Sequence, residues 1–87
     1  MDIGEAVKSM REGCFVARSG WNGKNIWLYY VANGETGIRN LFSEMASGDS
    51  YSEHVVMKTA QNTHVPWLCS QTDLLADDWV KVKLSGA

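Results

Sequence analysis

The sequence is poor in the residues that mark secreted, membrane-bound and metal-binding proteins. It has one proline, Pro66, and two isolated cysteines, Cys14 and Cys69, with no C-x-x-C spacing. Isolated cysteines favour free thiols in a reducing compartment over a disulfide framework. The chain shows no signal peptide and no apolar run near the ~18 residues that a bilayer-spanning helix needs. We therefore expect a protein with no membrane partner.

Basic residues are also few. Eight Lys and Arg stand against ten Asp and Glu, for a formal net charge of −2, and the basic residues form no run. Long nucleic acid is therefore not an expected partner, because its recognition depends on clustered positive charge. A small anionic ligand is compatible with this composition, since a few cations suffice to bind it.

Groups that could catalyse a reaction or bind a metal are equally scarce. The two cysteines and two histidines lie far apart in the sequence, unlike the close pairs that are typical of structural zinc sites. Local spacing suggests no nucleophile–base pair. The adjacent carboxylates Asp77 and Asp78 are interpreted as a solvated helix C-terminus. We expect no catalytic residue, no metal and no cofactor.

Aromatic residues, by contrast, are abundant for a short chain. Hydrophobic residues make up 45% of the sequence, with four tryptophans, three tyrosines and two phenylalanines. A chain of this length buries only roughly two-thirds of its unfolded surface, so its own core is marginal. Two interpretations of each ring stay open, that it fills the core or that it faces a ligand or a second subunit. The composition predicts a homo-oligomer, at least a dimer.

Hydrophobic periodicity predicts a single α+β domain over residues 1–87, with a mostly antiparallel sheet, an N-terminal helix and a short helix after Ser70. Asp2 and Glu5 form a capping-box pattern at the start of the first helix, which the apolar spacing extends to Glu12. The run IWLYYV at residues 26–31 is β-branched and aromatic, and it predicts the longest, central strand. The predicted strands cover residues 14–18, 26–31, 54–60, 63–67 and 79–84.

Several shorter patterns add detail to this fold. Asn22-Gly23 predicts a tight hairpin turn, because both residues tolerate positive φ, and Gln61-Asn62 predicts another turn. A short helix is predicted from the spacing of Ile38, Leu41, Phe42 and Met45. The residues expected to bury the helix after Ser70 are Leu74, Leu75 and Ala76. Alternation in the last strand places Val80, Val82 and Leu84 on one face and Trp79, Lys81 and Lys83 on the other.

Residues 65–79, VPWLCSQTDLLADDW, hold the best candidate for a binding site. Ser70 followed by Asp73 is a second capping-box pattern, so a helix N-terminus is expected here. The first main-chain N–H groups, at Gln71, Thr72 and Asp73, could bind a phosphate together with the Ser70 hydroxyl. The Asp73 carboxylate has two roles that the sequence leaves open, which are to accept ribose hydroxyls or to close the capping box. Gln71 could also hydrogen-bond base or sugar edges.

Other side chains could complete a nucleotide site. Trp67 and Trp21 can stack on a nucleobase, an interaction worth on the order of 1–3 kcal/mol per base. Lys24 and Arg18 can neutralise phosphate charge. Asn22 can hydrogen-bond base or sugar edges. The candidate ligand-binding residues are therefore Trp21, Asn22, Lys24, Trp67, Ser70, Gln71, Thr72 and Asp73.

Two stretches of the chain resemble the small phage proteins of the second Thoeris anti-defence family. They are residues 13–28, GCFVARSGWNGKNIWL, and residues 57–82, MKTAQNTHVPWLCSQTDLLADDWVKV. The opening residues 3–6, IGEA, are similar too. The combinations R-x-G-W-N-G-K and V-P-W-L-x-S-Q-T-D-L-L-A-x-D-W are specific, because no generic fold requires them.

The resemblance implies a non-enzymatic sponge that acts in the cytoplasm of the infected bacterial host. Such a protein binds the cyclic ADP-ribose-type signal, a glycocyclic ADP-ribose isomer, that a Thoeris TIR protein makes. It does not cleave the signal, and the immune effector stays inactive. The resemblance also implies a homo-oligomer, a dimer or a tetramer, with pockets between protomers. Trp21, Asp73 and the helix start at Ser70 are residue types that suit this ligand, and a binder needs no groups that stabilise a transition state.

Three stretches depart from the family pattern. Cys69 stands where alanine is expected, Gln61-Asn62 where an Asp-Gly-like turn is expected, and residues 33–53 match no pattern of the family. Cyclic oligonucleotide signals are therefore further possible ligands. Two other function classes stay open: a small nucleotide hydrolase that uses Asp73 or a histidine, and a protein–protein inhibitor of a host defence enzyme.

Overall fold

The computed structural model describes residues 1–21, 24–32 and 52–83. Two helices lie in these ranges, α1 (Ile3–Arg11) and α2 (Gln71–Leu74), and a single 3₁₀ turn covers Ser19–Trp21. The strands are β1 (Phe15–Arg18), β2 (Trp27–Val31), β3 (His54–Lys58), β4 (His64–Pro66) and β5 (Trp79–Val82). Neither helix in the described ranges combines the length and the apolar character that a membrane span requires.

The five strands form one sheet in the order β4-β3-β2-β1-β5. Every neighbouring pair is antiparallel. Strand β2 lies in the middle, next to β1 through the pair Val16–Leu28 and next to β3 along its whole length. The predictions of an α+β fold, an antiparallel sheet and a central strand near residues 26–31 are therefore confirmed. The strand starts at Trp27, and at five residues it is only as long as β3, not the longest strand that the sequence predicts.

Helix α1 starts at the predicted capping box. Glu5 donates its N–H to Asp2 Oδ1 at 2.8 Å, and Asp2 donates its N–H to Glu5 Oε1 at 3.1 Å. The helix ends before Gly13, whose φ of 97° lies in the left-handed region that favours glycine. One side of α1 packs on the sheet and forms a core of Ala6, Met10, Val16, Leu28 and Trp79.

The hairpin between β3 and β4 closes at the predicted Gln61-Asn62 turn. Thr59 donates its main-chain N–H to Thr63 O at 2.8 Å, and the two threonine hydroxyls are hydrogen-bonded at 2.6 Å. Asn62 has a φ of 66°, in a region that asparagine tolerates better than most residues. The prediction of a turn at these residues is confirmed.

The prediction that Leu74 and Leu75 bury α2 is wrong. These residues are 49% and 79% exposed, whereas Ala76 packs against the core. The reason is length, since α2 has four residues and no buried position. Strand β5 forms as predicted, but burial does not follow the predicted alternation, because Trp79 is fully buried and Val80 on the other face is 44% exposed.

Three predicted features lie outside the described residues. They are the conformation of the Asn22-Gly23 turn, the short helix around residues 38–45 and the placement of Leu84.

Strands β1 and β2 are antiparallel neighbours, as the strands of a hairpin are. Lys24 also donates its main-chain N–H to Trp21 O at 3.0 Å, which brings the two ends of the predicted turn together.

The sheet face opposite α1, here called the outer face, is rich in aromatic rings. Phe15 packs edge-on against Trp27 and Tyr29, with ring-centroid distances of 6.2 and 5.9 Å. Lys58 Nζ lies 4.4 Å from the centroid of the Trp27 ring and donates to Asn25 O at 2.8 Å. These contacts explain how a lysine is buried here. The outer face includes Phe15, Trp27, Tyr29, Lys58, Val80 and Val82.

Candidate ligand-binding site

Three tryptophans, here called the tryptophan cluster, meet where β1 ends and β5 begins. Trp79, the first residue of β5, is fully buried. Trp21 and Trp67 each pack edge-on against it, with ring-centroid distances of 5.5 and 5.8 Å. Edge-to-face pairs of this kind contribute about 0.5–1.5 kcal/mol beyond the burial of area. Packing against Trp79 holds the Trp21 and Trp67 rings in place, and both rings are only half-buried, so each keeps exposed surface.

Arg18, the last residue of β1, binds two carboxylates beside the tryptophan cluster. Its Nε donates to Asp78 Oδ1 at 2.7 Å, and its Nη1 donates to Asp73 Oδ1 at 2.8 Å. Ser19 adds two hydrogen bonds to Asp78, from its hydroxyl to Oδ2 and from its N–H to the main-chain oxygen, both at 3.0 Å. We call Arg18, Asp73 and Asp78 the ion-pair network. It joins the end of β1 to α2 and to the residue that precedes β5.

The ion-pair network changes the acidity of its members. The hydrogen bond from Arg18 is the main cause that lowers the pKa of Asp78 below its ordinary value, and the Ser19 hydroxyl acts in the same direction. The hydrogen bonds to Asp78 and Asp73 raise the pKa of Arg18. Both shifts favour the charged forms of Arg18 and Asp78 and so stabilise their ion pair.

Helix α2 begins directly after the cap residue Ser70, where the sequence predicts a helix start. Ser70 Oγ accepts the Asp73 N–H at 3.2 Å and lies 3.0 Å from Thr72 Oγ1. Asp73 therefore contributes to the cap through its main chain, while its carboxylate binds Arg18. Its main-chain oxygen also accepts the Trp79 Nε1–H at 3.1 Å. Asp73 thus connects α2 to both the tryptophan cluster and the ion-pair network.

The structure brings several candidate residues together and leaves others at the margin. Trp21, Trp67 and Asp73 all contact Trp79, and Ser70 caps the helix that carries Asp73. The candidates on exposed positions near them are Lys24, Gln71 and Thr72. The candidate Asn22 lies outside the described residues.

Two residues of the site have a different role from the one that the sequence suggests. Arg18 is a candidate phosphate-binding cation by sequence, but its guanidinium is bound to Asp73 and Asp78. The interpretation of Asp78 as part of a solvated helix end is wrong, because its carboxylate binds Arg18 and Ser19. Both corrections follow from the pairing of β1 with β5, which sets Arg18 opposite Trp79 and next to Asp78. Local sequence patterns do not reveal this pairing, because the two strands are far apart in the chain.

The site is suited to stacking and hydrogen bonding. Among the residues that the structure describes, no group of three His, Cys, Asp or Glu side chains is arranged to hold a metal ion.

Cys69, which precedes the helix cap, is a free thiol. Its pKa is raised by burial and, to a smaller extent, by the charge of Asp73. A thiol in this state is mainly protonated near neutral pH and therefore a weak nucleophile.

Two comparisons with known proteins cover nearly the whole chain. A family model described as a Thoeris anti-defense 2-like domain matches residues 1–82, which include the tryptophan cluster and the ion-pair network. The chain is also 37% identical over 83 residues to Thoeris anti-defense 2 of Bacillus phage SP01. That alignment covers 91% of this chain and 91% of the phage protein. The chain therefore belongs to the Thoeris anti-defense 2-like family.

Proposed function

We propose that this protein counters Thoeris defence by binding a cyclic ADP-ribose-type signal, a glycocyclic ADP-ribose isomer, without cleaving it. The observation that carries the proposal is the tryptophan cluster beside a polar helix start in a chain of this family. Sequestration of the signal in the cytoplasm of the infected bacterium would keep the defence effector inactive.

The base and the riboses are assigned to the centre of the site. Trp21 and Trp67 are the proposed stacking surfaces for the adenine, because each ring is fixed by Trp79 and half-exposed. Asp73 accepts one hydrogen bond from Arg18 at Oδ1, so its second oxygen has acceptor capacity for a ribose hydroxyl. The Ser70 hydroxyl, at the edge of the same helix turn, is the proposed second partner of the sugar.

The pyrophosphate is assigned to the exposed start of α2. The main-chain N–H groups of Gln71 and Thr72 lie in the first turn, where helices leave such donors without an intrahelical partner. Lys24 is the proposed cation, since its main chain is hydrogen-bonded to Trp21 and its side chain is exposed. Asn22 is kept as a proposed hydrogen-bond partner. Arg18 is not assigned to the phosphates, because two carboxylates already offset its charge.

We propose further that the protein is a homo-oligomer, a dimer or a tetramer, with pockets between protomers. Leu68 is 90% exposed and Leu75 is 79% exposed, and both lie close in sequence to the cap residue Ser70. Large apolar side chains beside a polar site are typical of a surface that another chain covers. The outer face supplies a second apolar surface, on which Val80 is 44% exposed.

The proposed activity involves no chemical step. Tight binding of a signal requires complementarity to the ligand itself, whereas catalysis requires groups that act on a transition state. In the described part of the site, the carboxylates of Asp73 and Asp78 are bound to Arg18. Asp78 also accepts the Ser19 hydroxyl at 3.0 Å, but Arg18 lowers the pKa of Asp78 and so makes its carboxylate a weak base for activating a nucleophile. Cyclic oligonucleotide signals present the same bases, sugars and phosphates and are a second ligand class to test.

A capture-and-release experiment tests the proposal. The purified protein is mixed with the signal made by a Thoeris TIR protein, unbound ligand is removed by filtration, and the retained fraction is denatured by heat. We expect chromatography to recover the signal intact and in a fixed ratio to the protein. Recovery of cleavage products would identify a hydrolase instead. No retained ligand, together with binding to the TIR protein itself, would identify a protein–protein inhibitor.

A further inference from the structure

Arg18 connects three separate parts of the chain at the candidate site. It ends β1, while Asp73 lies in α2 and Asp78 directly precedes β5. The side chains of Arg18, Asp73 and Asp78 are 24%, 16% and 32% exposed, so water screens these ion pairs only in part. A planar guanidinium can bind two carboxylates at once in a fixed geometry, which a lysine ammonium cannot reproduce.

Burial contributes little to the position of α2. The helix has four residues and none of them is buried. A single turn of this length is not stable in isolation. Two polar contacts made by Asp73 attach it to the sheet, namely the ion pair with Arg18 at 2.8 Å and the hydrogen bond from Trp79 Nε1 at 3.1 Å. Trp67 and Ala76 pack against the core on either side of α2, and the partners of Asp73 fix the helical turn between them.

We propose that Arg18 is a positioning residue of the ligand site, which holds α2 beside Trp21 and Trp67 before the ligand binds and does not contact the ligand. This inference rests on the proposed function. Affinity gains from such an arrangement because a segment that is already ordered loses less conformational entropy on binding. Asp78 is the second carboxylate that holds Arg18. Ser19 binds the Asp78 carboxylate, and that carboxylate in turn accepts the hydrogen bond from Arg18 Nε, which fixes this side of the guanidinium.

Three variants distinguish a positioning role from direct contact with the phosphates. Arg18→Lys keeps the charge but cannot bind both carboxylates at once. Asp78→Asn keeps Arg18 and removes the charge of one anchor. Arg11→Gln is the matched control, because it removes an arginine from an exposed ion pair with Glu53, at 3.0 Å, that involves no candidate-site residue. Calorimetry measures the affinity of each variant for the glycocyclic ADP-ribose isomer.

The two roles predict opposite results. A positioning role predicts that Arg18→Lys and Asp78→Asn each weaken binding about tenfold, while Arg11→Gln binds as the parent does. Direct contact predicts that Arg18→Lys keeps most of the affinity. It also predicts that Asp78→Asn leaves binding unchanged or tightens it, because the guanidinium then has more capacity for phosphate. That pattern would overturn the proposal.

Hydrogen exchange of the free protein supplies a test that needs no ligand. The amides of Leu74 and Leu75 donate within α2 to Ser70 O and Gln71 O, at 2.9 and 3.0 Å. We expect Arg18→Lys and Asp78→Asn to speed exchange at these amides while exchange in α1 stays as in the parent. Unchanged exchange in both variants overturns the positioning role, whatever the affinities are. A parent protein that does not bind the signal contradicts the proposed function separately, and the exchange data still decide what holds α2.

Discussion

Replacement of Trp21 by alanine tests the proposed stacking surface most directly. The ring is half-buried and packs edge-on against Trp79 at 5.5 Å. Truncation of a fully buried tryptophan destabilises by about 3–5 kcal/mol, and we expect about half of that here, ~2 kcal/mol, because part of the ring is already in water. Small domains usually tolerate a loss of this size. The variant should therefore fold, with a Tm lower by several degrees.

Trp21→Ala should weaken ligand binding by more than a loss of stability alone would, because the folded variant also lacks the stacking ring. Loss of one stacked ring lowers the affinity for the cyclic ADP-ribose isomer by on the order of 1–3 kcal/mol, or roughly tenfold to a hundredfold. Calorimetry well below the Tm measures this change, and a thermal melt of the same sample shows that the variant is folded.

A second aromatic truncation serves as the control. Tyr30 is also half-buried and packs against the core, and its ring contacts Arg11 at 5.2 Å. Tyr30→Ala should lower stability without a change in affinity. If folded Trp21→Ala binds the signal as tightly as the parent does, the ring does not stack on the ligand. If both variants lose affinity equally, the effect of Trp21→Ala comes from stability and not from stacking.

Three further predictions concern charge, capping and assembly. Arg18 lowers the pKa of Asp78 below its ordinary 3.8, so on acidification the unfolded state takes up this proton before the folded state does. The contribution of the Arg18–Asp78 pair to stability is therefore present above about pH 4 and is lost as the pH falls through the lowered pKa. Urea unfolding across pH 2–6 should show less acid sensitivity in Asp78→Asn. Ser70→Ala removes the acceptor of the Asp73 N–H and should destabilise α2 by about 0.5–2 kcal/mol, seen as faster amide exchange there and not in α1. Leu75→Asp places a charge on a residue that is 79% exposed in one chain; light scattering should show a smaller oligomer, and a parental mass would mean that this residue is not in the interface.

Local signals in the sequence predict the parts of the fold that depend on local physics. The two caps, at Asp2 and Ser70, follow from a polar side chain placed to accept a main-chain N–H three residues later. The strand β2 follows from an unbroken β-branched and aromatic run. The turn at Asn62 follows from tolerance of positive φ. Each of these features depends on residues that are adjacent or nearly adjacent in the chain.

The parts that sequence could not predict depend on contacts between distant residues. Arg18 and Asp78 are 60 positions apart and meet only because β5 pairs with β1 at the edge of the sheet. The exposure of Leu74 and Leu75 depends on how early α2 ends, and helix length is set by packing more than by the capping pattern. Trp21 and Trp67 are predicted as candidate site residues, but their common contact with Trp79 requires the fold.

The charges at the site bear on how a pyrophosphate could be bound. In the described residues, Asp73 and Asp78 together carry one more charge than Arg18 offsets. Two like unit charges ~8 Å apart repel by about 2 kcal/mol at an effective dielectric constant near 20, which is as large as the gain from stacking one base. Phosphates at the start of α2, as proposed, therefore need positive charge beside them to offset this repulsion, either from Lys24 or from a second chain.

The exposed leucines favour the second chain as that source. Leu68 and Leu75 flank the cap of α2 in sequence, so a protomer that covered them would lie next to the ligand and exclude water from it. Exclusion of water strengthens the hydrogen bonds and charge interactions in the pocket. Assembly and capture should therefore be lost together when Leu75 is replaced by aspartate. A monomeric Leu75→Asp protein that bound the signal with parental affinity would place the whole site within one chain.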